Sequence, residues 1–284
     1  MTLFNQVDAS ATPPREVMIR HTVAVRLTHW VNAFIVTLLL ASGLRIFSYH
    51  PVLYWGNDGH VGLPSFLSIA AQVDDATGRP AGVTTIMGHS FDTTGILGIS
   101  YNVSGDPVEA ALPDWLMLPG GLSFGRDIHF DAAWLLVING LVYLTCGLFS
   151  GHFRRDLMPA AKELSPRHVL ADVWNHLRLR RPRGEAARHY NVLQKLAYVM
   201  VMFVLLPIMV LSGLTMSPAV TAALPFLFDL FGGRHSARTI HFLVTDLLVL
   251  FIAVHLVQVI IAGALNNMRA MITGRYVIPS EIGK

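Results

Sequence analysis

The chain has 284 residues, of which 53% are hydrophobic and only 14% are charged, and its formal net charge is +3. A soluble domain carries about 25% charged residues, so this composition argues against a soluble protein and favours one with membrane-spanning segments. The single cysteine, Cys146, excludes a disulfide framework and any cysteine-ligated zinc or iron–sulfur site within the chain.

The first predicted element is the membrane-spanning segment Leu27–Phe47. Residues 1–20 contain Pro13, Pro14 and charged side chains without an apolar core, so we expect no cleavable signal peptide ahead of it. At about 1.5 Å per residue, the segment is long enough to cross about 30 Å of hydrocarbon. It should therefore stay in the membrane as an anchor.

The segment that follows, Ser48–Arg126, is predicted to be a long outer loop. It carries seven acidic residues, and Arg79 and Arg126 are its only Lys or Arg residues. Its apolar stretch Val61–Val73 is too short to span a membrane and is predicted to form an interfacial or loop helix. Four residues indicate another segment along the membrane interface just before the second span: Pro113, Trp115, Met117 and Pro119.

Three further segments reach spanning length, and they are His129–Phe149, Leu196–Met216 and Ile240–Leu265. The connection His152–Tyr190 carries nine Lys and Arg residues. By the positive-inside rule this connection is cytoplasmic, so both termini are cytoplasmic and the acidic loop lies outside. The shorter apolar stretch Val220–Phe231 is predicted to be an interfacial or loop helix.

These elements predict an all-α membrane protein, a four-transmembrane-helix bundle with a long outer loop between helices 1 and 2. We expect residues 1–284 to form a single domain. The tripeptides Ser42-Gly43-Leu44 and Ser212-Gly213-Leu214 close spans one and three alike. A remnant of duplication would leave such a likeness, although two tripeptides do not prove one.

Four of the thirteen histidines fall within or at the ends of the predicted spans: His29, His129, His241 and His255. Ionisable side chains at membrane depth are costly and usually functional, although one neutral imidazole can be an interhelical contact. His241 and His255, fourteen residues apart, point to nearly the same helix face about 21 Å apart along the axis. His129 matches the depth of His241, and His29 matches that of His255. The sequence therefore predicts two pairs at two depths.

Two histidines on facing helices can supply both axial ligands of a haem iron, which suits electron transfer. Each pair therefore predicts one b-type haem, with the histidines as iron ligands. Gly43 and Gly140 lie nearly in line with histidines of their own spans and would leave room for a flat macrocycle. The alternative is that these small residues simply let helices approach closely.

Arginines at the span ends are candidate partners of the anionic haem propionates. Those at the predicted outer end are Arg45, Arg126, Arg234 and Arg238. Arg26 is their counterpart at the cytoplasmic end. Ordinary snorkelling of long cationic side chains to the membrane interface is the alternative explanation.

The run Arg26-Leu27-Thr28-His29-Trp30, followed by Ser42-Gly43-Leu44, resembles the first helix of the bacterial di-haem cytochrome b subunits. His129 with Ala133-Trp134, and the pair His241 and His255, resemble the second and fourth helices. These subunits are the membrane partners of formate dehydrogenases (the gamma subunit), nickel–iron hydrogenases and thiosulfate reductases. The resemblance implies His129 with His241 on an outer haem and His29 with His255 on an inner haem.

The resemblance also implies a quinone pocket beside the inner haem, where a Tyr-Asn-x-x-Gln-Lys stretch opens the third helix. Carried over by position, Asn191, Gln194 and Lys195 become the candidate quinone-binding residues. A quinone needs hydrogen-bond partners for its carbonyl groups, and this aqueous edge offers them. Polar residues at a helix start are also often just solvated, so both interpretations stay open.

The outer loop is longer than in the formate dehydrogenase and hydrogenase subunits. Its run His50-Pro51-Val52-Leu53-Tyr54-Trp55-Gly56 looks more like the thiosulfate reductase branch, which is commonly paired with an exported molybdopterin oxidoreductase. We expect this loop to dock such a partner. Its histidines are expected to be ordinary loop residues, because nothing pairs them: His50, His60 and His89.

The sequence thus predicts an electron-transfer subunit of the bacterial cytoplasmic membrane rather than an enzyme by itself. It would carry two haem b groups, link the exported oxidoreductase to quinone, and bind no nucleic acid. One rival is a stand-alone quinone-linked oxidoreductase acting on superoxide or a small redox partner. The other is a histidine-lined transporter, for which Pro207 is the only obvious helix break.

Overall fold

A computed structural model places long helices in a bundle with a small β-structure at one end. It describes residues 16–60, 62–75, 77–101, 104–178 and 191–278. Within these residues, four helical segments are long and apolar enough to span a membrane: Val23–Ser48, Leu122–Phe149, Val192–Thr215 and Arg234–Ile261. The prediction of four spans is confirmed, and each helical segment begins earlier in the chain than its predicted start.

Three of the spans are continuous α-helices: α1 (Val23–Ser48), α2 (Leu122–Phe149) and α8 (Arg234–Ile261). The start of α1 is fixed by Thr22, whose side chain accepts a hydrogen bond from the Val25 backbone N–H. The start of α8 follows Gly232 and Gly233, whose φ angles of 68° and 112° favour glycine. This glycine pair turns the chain sharply into the helix that carries two of the candidate histidines.

The third span is interrupted by a π-helical turn. It consists of α4 (Val192–Met200), the π turn Val201–Leu205 and α5 (Leu206–Thr215). Pro207 lacks the N–H that a regular helix needs at its position. The Leu206 N–H instead bonds to the Val201 carbonyl, five residues back. The π turn therefore accommodates the proline without ending the span.

The segment between α1 and α2 folds into antiparallel strands, so the all-α prediction is wrong there. One sheet has the order β2-β3-β4-β5, formed by Val52–Leu53, Leu67–Val73, Pro80–Ile86 and His89–Asp92. A second pair consists of β6 (Gly98–Tyr101) and β7 (Pro107–Ala110). The long connection predicted as a loop is thus largely a β-subdomain, and a short 3-10 turn, Asp114–Leu116, precedes α2.

The predicted helix over Val61–Val73 is also wrong, because Leu67–Val73 form strand β3. β3 pairs along its whole length with β4, from Leu67 opposite Ile86 to Val73 opposite Pro80. A short apolar run is compatible with either a helix or a strand until its partner is known. The β-branched run of β4, from Val83 to Ile86, supplies that partner.

The β-subdomain is fixed to the ends of α1 and α8. A buried apolar cluster joins them, made of Phe47, Leu53, Ile69, Leu112 and Met117. The Leu118 N–H donates to the Ala41 carbonyl of α1 at 2.9 Å, and the Thr239 hydroxyl of α8 donates to the Tyr54 carbonyl at 2.6 Å. This end of the bundle is termed the sheet end. The subdomain therefore holds the ends of two spans in register.

At the opposite end, the described residues form short elements. β1 (Val17–Ile19) pairs with β8 (Arg275–Val277), next to α9 (Ala264–Thr273). α3 (Pro166–Leu177) meets the start of α4, where Asp172 accepts a hydrogen bond from the Val192 N–H at 3.2 Å.

At the sheet end, the predicted short helix over Val220–Phe231 is observed as two helices. They are α6 (Pro218–Ala223) and α7 (Phe226–Phe231).

Helix packing leaves much apolar surface outward. α1 packs along α2, and α5 packs along α8. In the most apolar windows of the third and fourth spans, only 6% of residues are buried within the chain. Small polar residues occupy the helix contacts instead, and Ser42, Ser212 and Thr215 are fully buried. Outward apolar faces with small residues inside are typical of helices packed in lipid.

Candidate functional site

Two imidazoles meet near the sheet end of the bundle. His129 of α2 and His241 of α8 have ring centres 6.3 Å apart and ring planes at 62°. Phe242, the next residue of α8, packs against the apolar cluster that joins the β-subdomain to the bundle. His129 and His241 are termed the sheet-side pair.

Two further imidazoles meet near the opposite end. His29 of α1 and His255 of α8 have ring centres 6.3 Å apart and ring planes at 54°. Because His241 and His255 are fourteen residues apart on one helix, the two pairs are separated by about 21 Å along α8. His29 and His255 are termed the far pair. The structure thus brings together the members of each pair that the sequence predicts.

Both spacings fit one metal ion held between two ring nitrogens. A bond from a metal to an imidazole nitrogen is about 2 Å long, and the ring centre lies about 1.1 Å behind that nitrogen. Two such rings on opposite sides of one ion therefore have centres about 6 Å apart. Aromatic contacts alone cover a range of about 4.5–7 Å, so the shared 6.3 Å value in two separate pairs is the informative fact.

Hydrogen bonds select which ring nitrogen of the sheet-side pair faces a ligand. His129 Nδ1 lies 3.0 Å from the Ser42 hydroxyl oxygen, and His241 Nδ1 lies 3.0 Å from that of Ser212. With Nδ1 engaged, Nε2 is the nitrogen left to bind a metal. The donor set therefore fits haem iron, which takes neutral imidazole on both axial positions.

The far pair is surrounded differently. The His29 ring meets Trp30 edge-on at 5.3 Å, and the His255 ring stacks on Phe251 at 5.9 Å. Two buried polar atoms here have no hydrogen-bond partner within the described residues: His29 Nδ1 and Arg26 Nε. Buried polar groups are rarely left unpaired, so these two atoms indicate a missing ligand or water at this end.

Gly43 and Gly140, which are predicted to leave room for a haem macrocycle, lie in different environments. A Cβ atom on Gly43 would sit 3.3 Å from His129 Cε1, so this position is closed by the imidazole itself. A Cβ on Gly140 would meet nothing within 4 Å. Gly140 therefore borders open space, while Gly43 lets the imidazole of the sheet-side pair approach α1.

The predicted propionate partners are engaged with the protein. The Arg45 Nε donates to the Leu118 carbonyl at 2.8 Å, and its Nη2 lies 3.4 Å from Asp114. Other guanidinium contacts are Arg26 with the Ile272 carbonyl, Arg238 with the His50 carbonyl, Arg126 over the Phe130 ring and Arg234 over the Phe228 ring. The buried Nε of Arg26 has no hydrogen-bond partner within the described residues. The propionate role of all five arginines stays a prediction.

The candidate quinone residues open the third span. Asn191 and Gln194 form a reciprocal capping box, with each side-chain oxygen accepting from the other residue's backbone N–H at 2.8 and 3.3 Å. Lys195 is 9% exposed and donates to both carboxylate oxygens of Glu163 at 2.9 and 2.8 Å. This hydrogen bond lowers the pKa of Glu163. The three residues thus have structural roles, and quinone binding stays a prediction.

The sequence analysis does not predict that Ser42 and Ser212 contact the histidines of the sheet-side pair. Their repeated Ser-Gly context is visible in the sequence, where it is compatible with a remnant of duplication without proving one. Only the packing of α1 on α2 and of α5 on α8 places each serine against a histidine of another helix. The Glu163–Lys195 pair was missed for the same reason, because its members are 32 residues apart.

Comparison with known proteins supplies the family context. The family model described as prokaryotic cytochrome b561 matches residues 20–274. A relative from Azospira oryzae, named putative protein-methionine-sulfoxide reductase subunit YedZ1, is 29% identical over 260 residues. That match covers 92% of this chain and 98% of the relative. No solved structure matches.

Proposed function

We propose that this chain, which belongs to the prokaryotic cytochrome b561 family, is the electron-transfer subunit of a quinone-linked oxidoreductase complex and holds two haem b groups. Membership of the family makes it a membrane-integral b-type cytochrome that takes part in electron transport. The proposal adds two haems, their ligands, a quinone and an exported partner enzyme.

The observation that carries the proposal is the pair of equal imidazole spacings at two depths. In the proposal, His129 and His241 hold one haem, and His29 and His255 hold the other. When bound, haem b supplies a one-electron carrier whose two axial positions are both filled by histidine. The chain's own part is to fix the imidazoles, surround them with helices and keep water from the sites.

Proximity to arginine supports placing the far haem's propionates near Arg26. Its Nε is buried without a partner in the described part of the chain, and a propionate oxygen would accept from it. At the sheet end, Arg45, Arg126 and Arg238 lie on α1, α2 and α8, the three helices that hold the ligand histidines. We propose that they lower the cost of placing anionic groups there.

The proposed partner is an exported oxidoreductase, of molybdopterin type or similar, that docks at the β-subdomain. The relative from Azospira oryzae is named as a subunit of a reductase, which supports a subunit role here. The connection Ser48–Arg126 carries seven acidic residues against two arginines, and it exposes large apolar side chains such as Met87, Phe91 and Trp115. Exposed apolar groups on an acidic surface favour a protein partner.

The proposed quinone site lies by the far pair, at the start of the third span. The Tyr198 ring of α4 contacts the Phe251 ring at 6.4 Å, and Phe251 stacks on His255. Asn191, Gln194 and Lys195 open the same span. The nine Lys and Arg residues of the connection His152–Tyr190 support a cytoplasmic position for this end, in a bacterial inner membrane with both termini inside.

Haem counting tests the proposal. Purified wild-type chain should contain two haems per chain by the pyridine haemochrome assay, with b-type bands in the dithionite-reduced spectrum. His241→Ala and His129→Ala should each leave one haem, and so should His29→Ala and His255→Ala. Two haems retained in any of these variants would refute the ligand assignment. A spectrum without reduced bands would favour the transporter reading instead.

The quinone and partner parts are tested separately. A water-soluble quinol should reduce the haem of wild-type membranes, and Lys195→Met should slow this step while haem content stays constant. Turnover of the isolated subunit with superoxide and quinone, without any partner, would favour a stand-alone oxidoreductase. Co-purification of one exported oxidoreductase, lost when the hairpin residues Met87 and Phe91 are changed to Ser, would support the subunit role.

A further inference from the structure

The two Ser-Gly pairs of the chain occupy equivalent places in the fold. Ser42 and Gly43 lie near the end of α1, and Ser212 and Gly213 lie near the end of α5. Each pair faces a histidine of the span that follows it, His129 on α2 and His241 on α8. The repeated tripeptide therefore corresponds to a repeated contact.

The two contacts agree in detail. Each serine oxygen lies 3.0 Å from the Nδ1 atom of its histidine. A Cβ on Gly43 would lie 3.3 Å from His129 Cε1, and one on Gly213 would lie 3.4 Å from His241 Cε1. The serine thus binds one edge of the imidazole while the glycine admits the ring. A side chain that extends beyond Cβ at the second position would press against the imidazole.

The serine hydroxyl oxygens accept hydrogen bonds from the histidine Nδ1 atoms, because their own hydrogens are donated elsewhere. The Ser42 hydroxyl donates to the Leu38 carbonyl at 2.6 Å, and the Ser212 hydroxyl donates to the Met209 carbonyl at 3.1 Å. Since each hydroxyl has a single hydrogen, its oxygen accepts from the imidazole. Both serines have an exposed fraction of 0%, so water does not compete for these bonds.

A carbonyl oxygen fixes the same tautomer of His241 independently. His241 Nδ1 lies 3.1 Å from the Met209 carbonyl, and a carbonyl only accepts, so this Nδ1 carries the hydrogen. The Leu39 backbone is likewise a hydrogen-bond partner of His129. Leu39 and Met209 each lie three positions before the serine of their helix. Nε2 of both rings is therefore the unprotonated nitrogen, as metal binding requires.

We propose that Ser42 and Ser212 are positioning residues that fix both imidazoles of the sheet-side pair and lower the reduction potential of the haem bound there. This inference rests on the proposed function, because it needs a haem at this pair. A hydrogen bond from Nδ1–H raises the basicity of the imidazole and favours the ferric over the ferrous ion. No such serine binds the far pair, where His29 Nδ1 is unpartnered among the described residues.

The test is a redox titration of the b-type bands in the double variant Ser42→Ala/Ser212→Ala. The retained backbone hydrogen bonds with Leu39 and Met209 should keep the haem in place. We expect the ferric preference of the sheet-side haem to fall about tenfold, which raises its midpoint potential by about 59 mV for one electron. The far haem should not shift. The sheet-side component is identified as the one that His241→Ala removes.

Matched controls remove a back-bonded hydroxyl from the same helices without touching a histidine. Thr37 of α1 donates to the Ala33 carbonyl at 2.9 Å, and Thr215 of α5 donates to the Leu211 carbonyl at 2.8 Å. Thr37→Ala and Thr215→Ala should leave both potentials unchanged. Loss of the sheet-side haem alone from the double serine variant, with both haems kept in the controls, would also support the inference.

Three outcomes would overturn it. These are unchanged potentials in the double variant with two haems retained, equal shifts of both haems, or equal shifts in the threonine controls. The wild-type spectrum separates this failure from failure of the proposed function. If the wild-type chain binds no haem at the sheet-side pair, the function proposal fails first; if it binds haem and the potentials do not move, only the serine inference fails.

Discussion

The sheet-side pair and the far pair share a ring spacing of 6.3 Å, yet the protein holds them in different ways. Both imidazoles of the sheet-side pair have Nδ1 bonded to a buried serine. At the far pair, His255 is held by ring stacking on Phe251, and His29 Nδ1 is buried without a partner in the described part of the chain. At the sheet-side pair the protein supplies a hydrogen-bond partner for both Nδ1 atoms. At the far pair, His29 Nδ1 has none among the described residues.

This difference indicates how each site meets its surroundings. An unmade buried hydrogen bond costs about 1–3 kcal/mol, so the far end is stabilised when a ligand or water reaches Arg26 Nε and His29 Nδ1. The sheet-side pair has no such need and is preorganised. A rigid site near the β-subdomain suits electron exchange with a docked protein, and an open one suits exchange with a small molecule. The following changes test this contrast.

The largest expected effect comes from filling the glycine positions. In Gly43→Leu the new side chain starts 3.3 Å from His129 Cε1, so we expect it to displace the imidazole and to abolish the haem binding proposed for the sheet-side pair. A Cβ on Gly140 meets no protein atom within 4 Å, so we expect haem loss in Gly140→Leu to arise from a clash with the macrocycle. We expect loss from the far pair. Haem per chain should fall from two to one in each variant, and retention of both in Gly43→Leu would contradict the contact.

The next effect concerns the partly buried ion pair between Glu163 and Lys195 at the far end. Glu163→Gln leaves the buried Lys195 ammonium without its carboxylate, and removal of one member of a buried pair is costly. Because the Glu163 side chain is 30% exposed, we expect a discounted loss of about 1–3 kcal/mol in unfolding free energy. Thermal unfolding in detergent measures it. The double variant Glu163→Gln/Lys195→Met should recover part of the loss, and an additive double loss would contradict the pairing.

A smaller effect is expected from His21, beside the β1–β8 ribbon at the far end. Burial, together with Arg20, lowers the pKa of His21 from 6.5 to about 4. The unfolded chain therefore binds this proton more readily, so folding stability should fall as the pH drops from about 6.5 to 4. His21→Asn should flatten the stability profile in this window. The exposed His89 of β5 offers the control, because His89→Asn should leave the profile of the wild type intact.

Much of this architecture could be predicted from the sequence because membranes impose simple length and polarity rules. The long apolar runs predict the four spans. The spacing of His241 and His255 predicts two histidine pairs that share one helix. The strands were missed because Leu67–Val73 reads as a helix or a strand until its partner β4 is known. Pro207 indicates a helix break in the third span, but the sequence does not show its form, which is a π turn within a continuing span.

The finer parts of the site depend on contacts between helices that no local pattern encodes. Ser42 meets His129 across 87 residues, and Glu163 meets Lys195 across 32. The repeated Ser-Gly sequence is the signal for the serine–histidine contacts. It indicates them only if the repeat is explained by helix packing rather than by common ancestry. Asn191 and Gln194 illustrate the reverse case, because their capping box could have been recognised from the sequence as an N-terminal helix signature.

The smallest expected effect separates two contacts of Arg45 at the sheet end. Its Nε donates to the Leu118 carbonyl at 2.8 Å, while its Nη2 lies 3.4 Å from Asp114, a side chain that is 86% exposed. An exposed ion pair contributes little, so Asp114→Asn should change the unfolding free energy by less than about 0.5 kcal/mol. Arg45→Met removes the carbonyl contact too and should cost about 1 kcal/mol or more. Equal losses in the two variants would mean that the ion pair, and not the carbonyl contact, fastens the β-subdomain to α1.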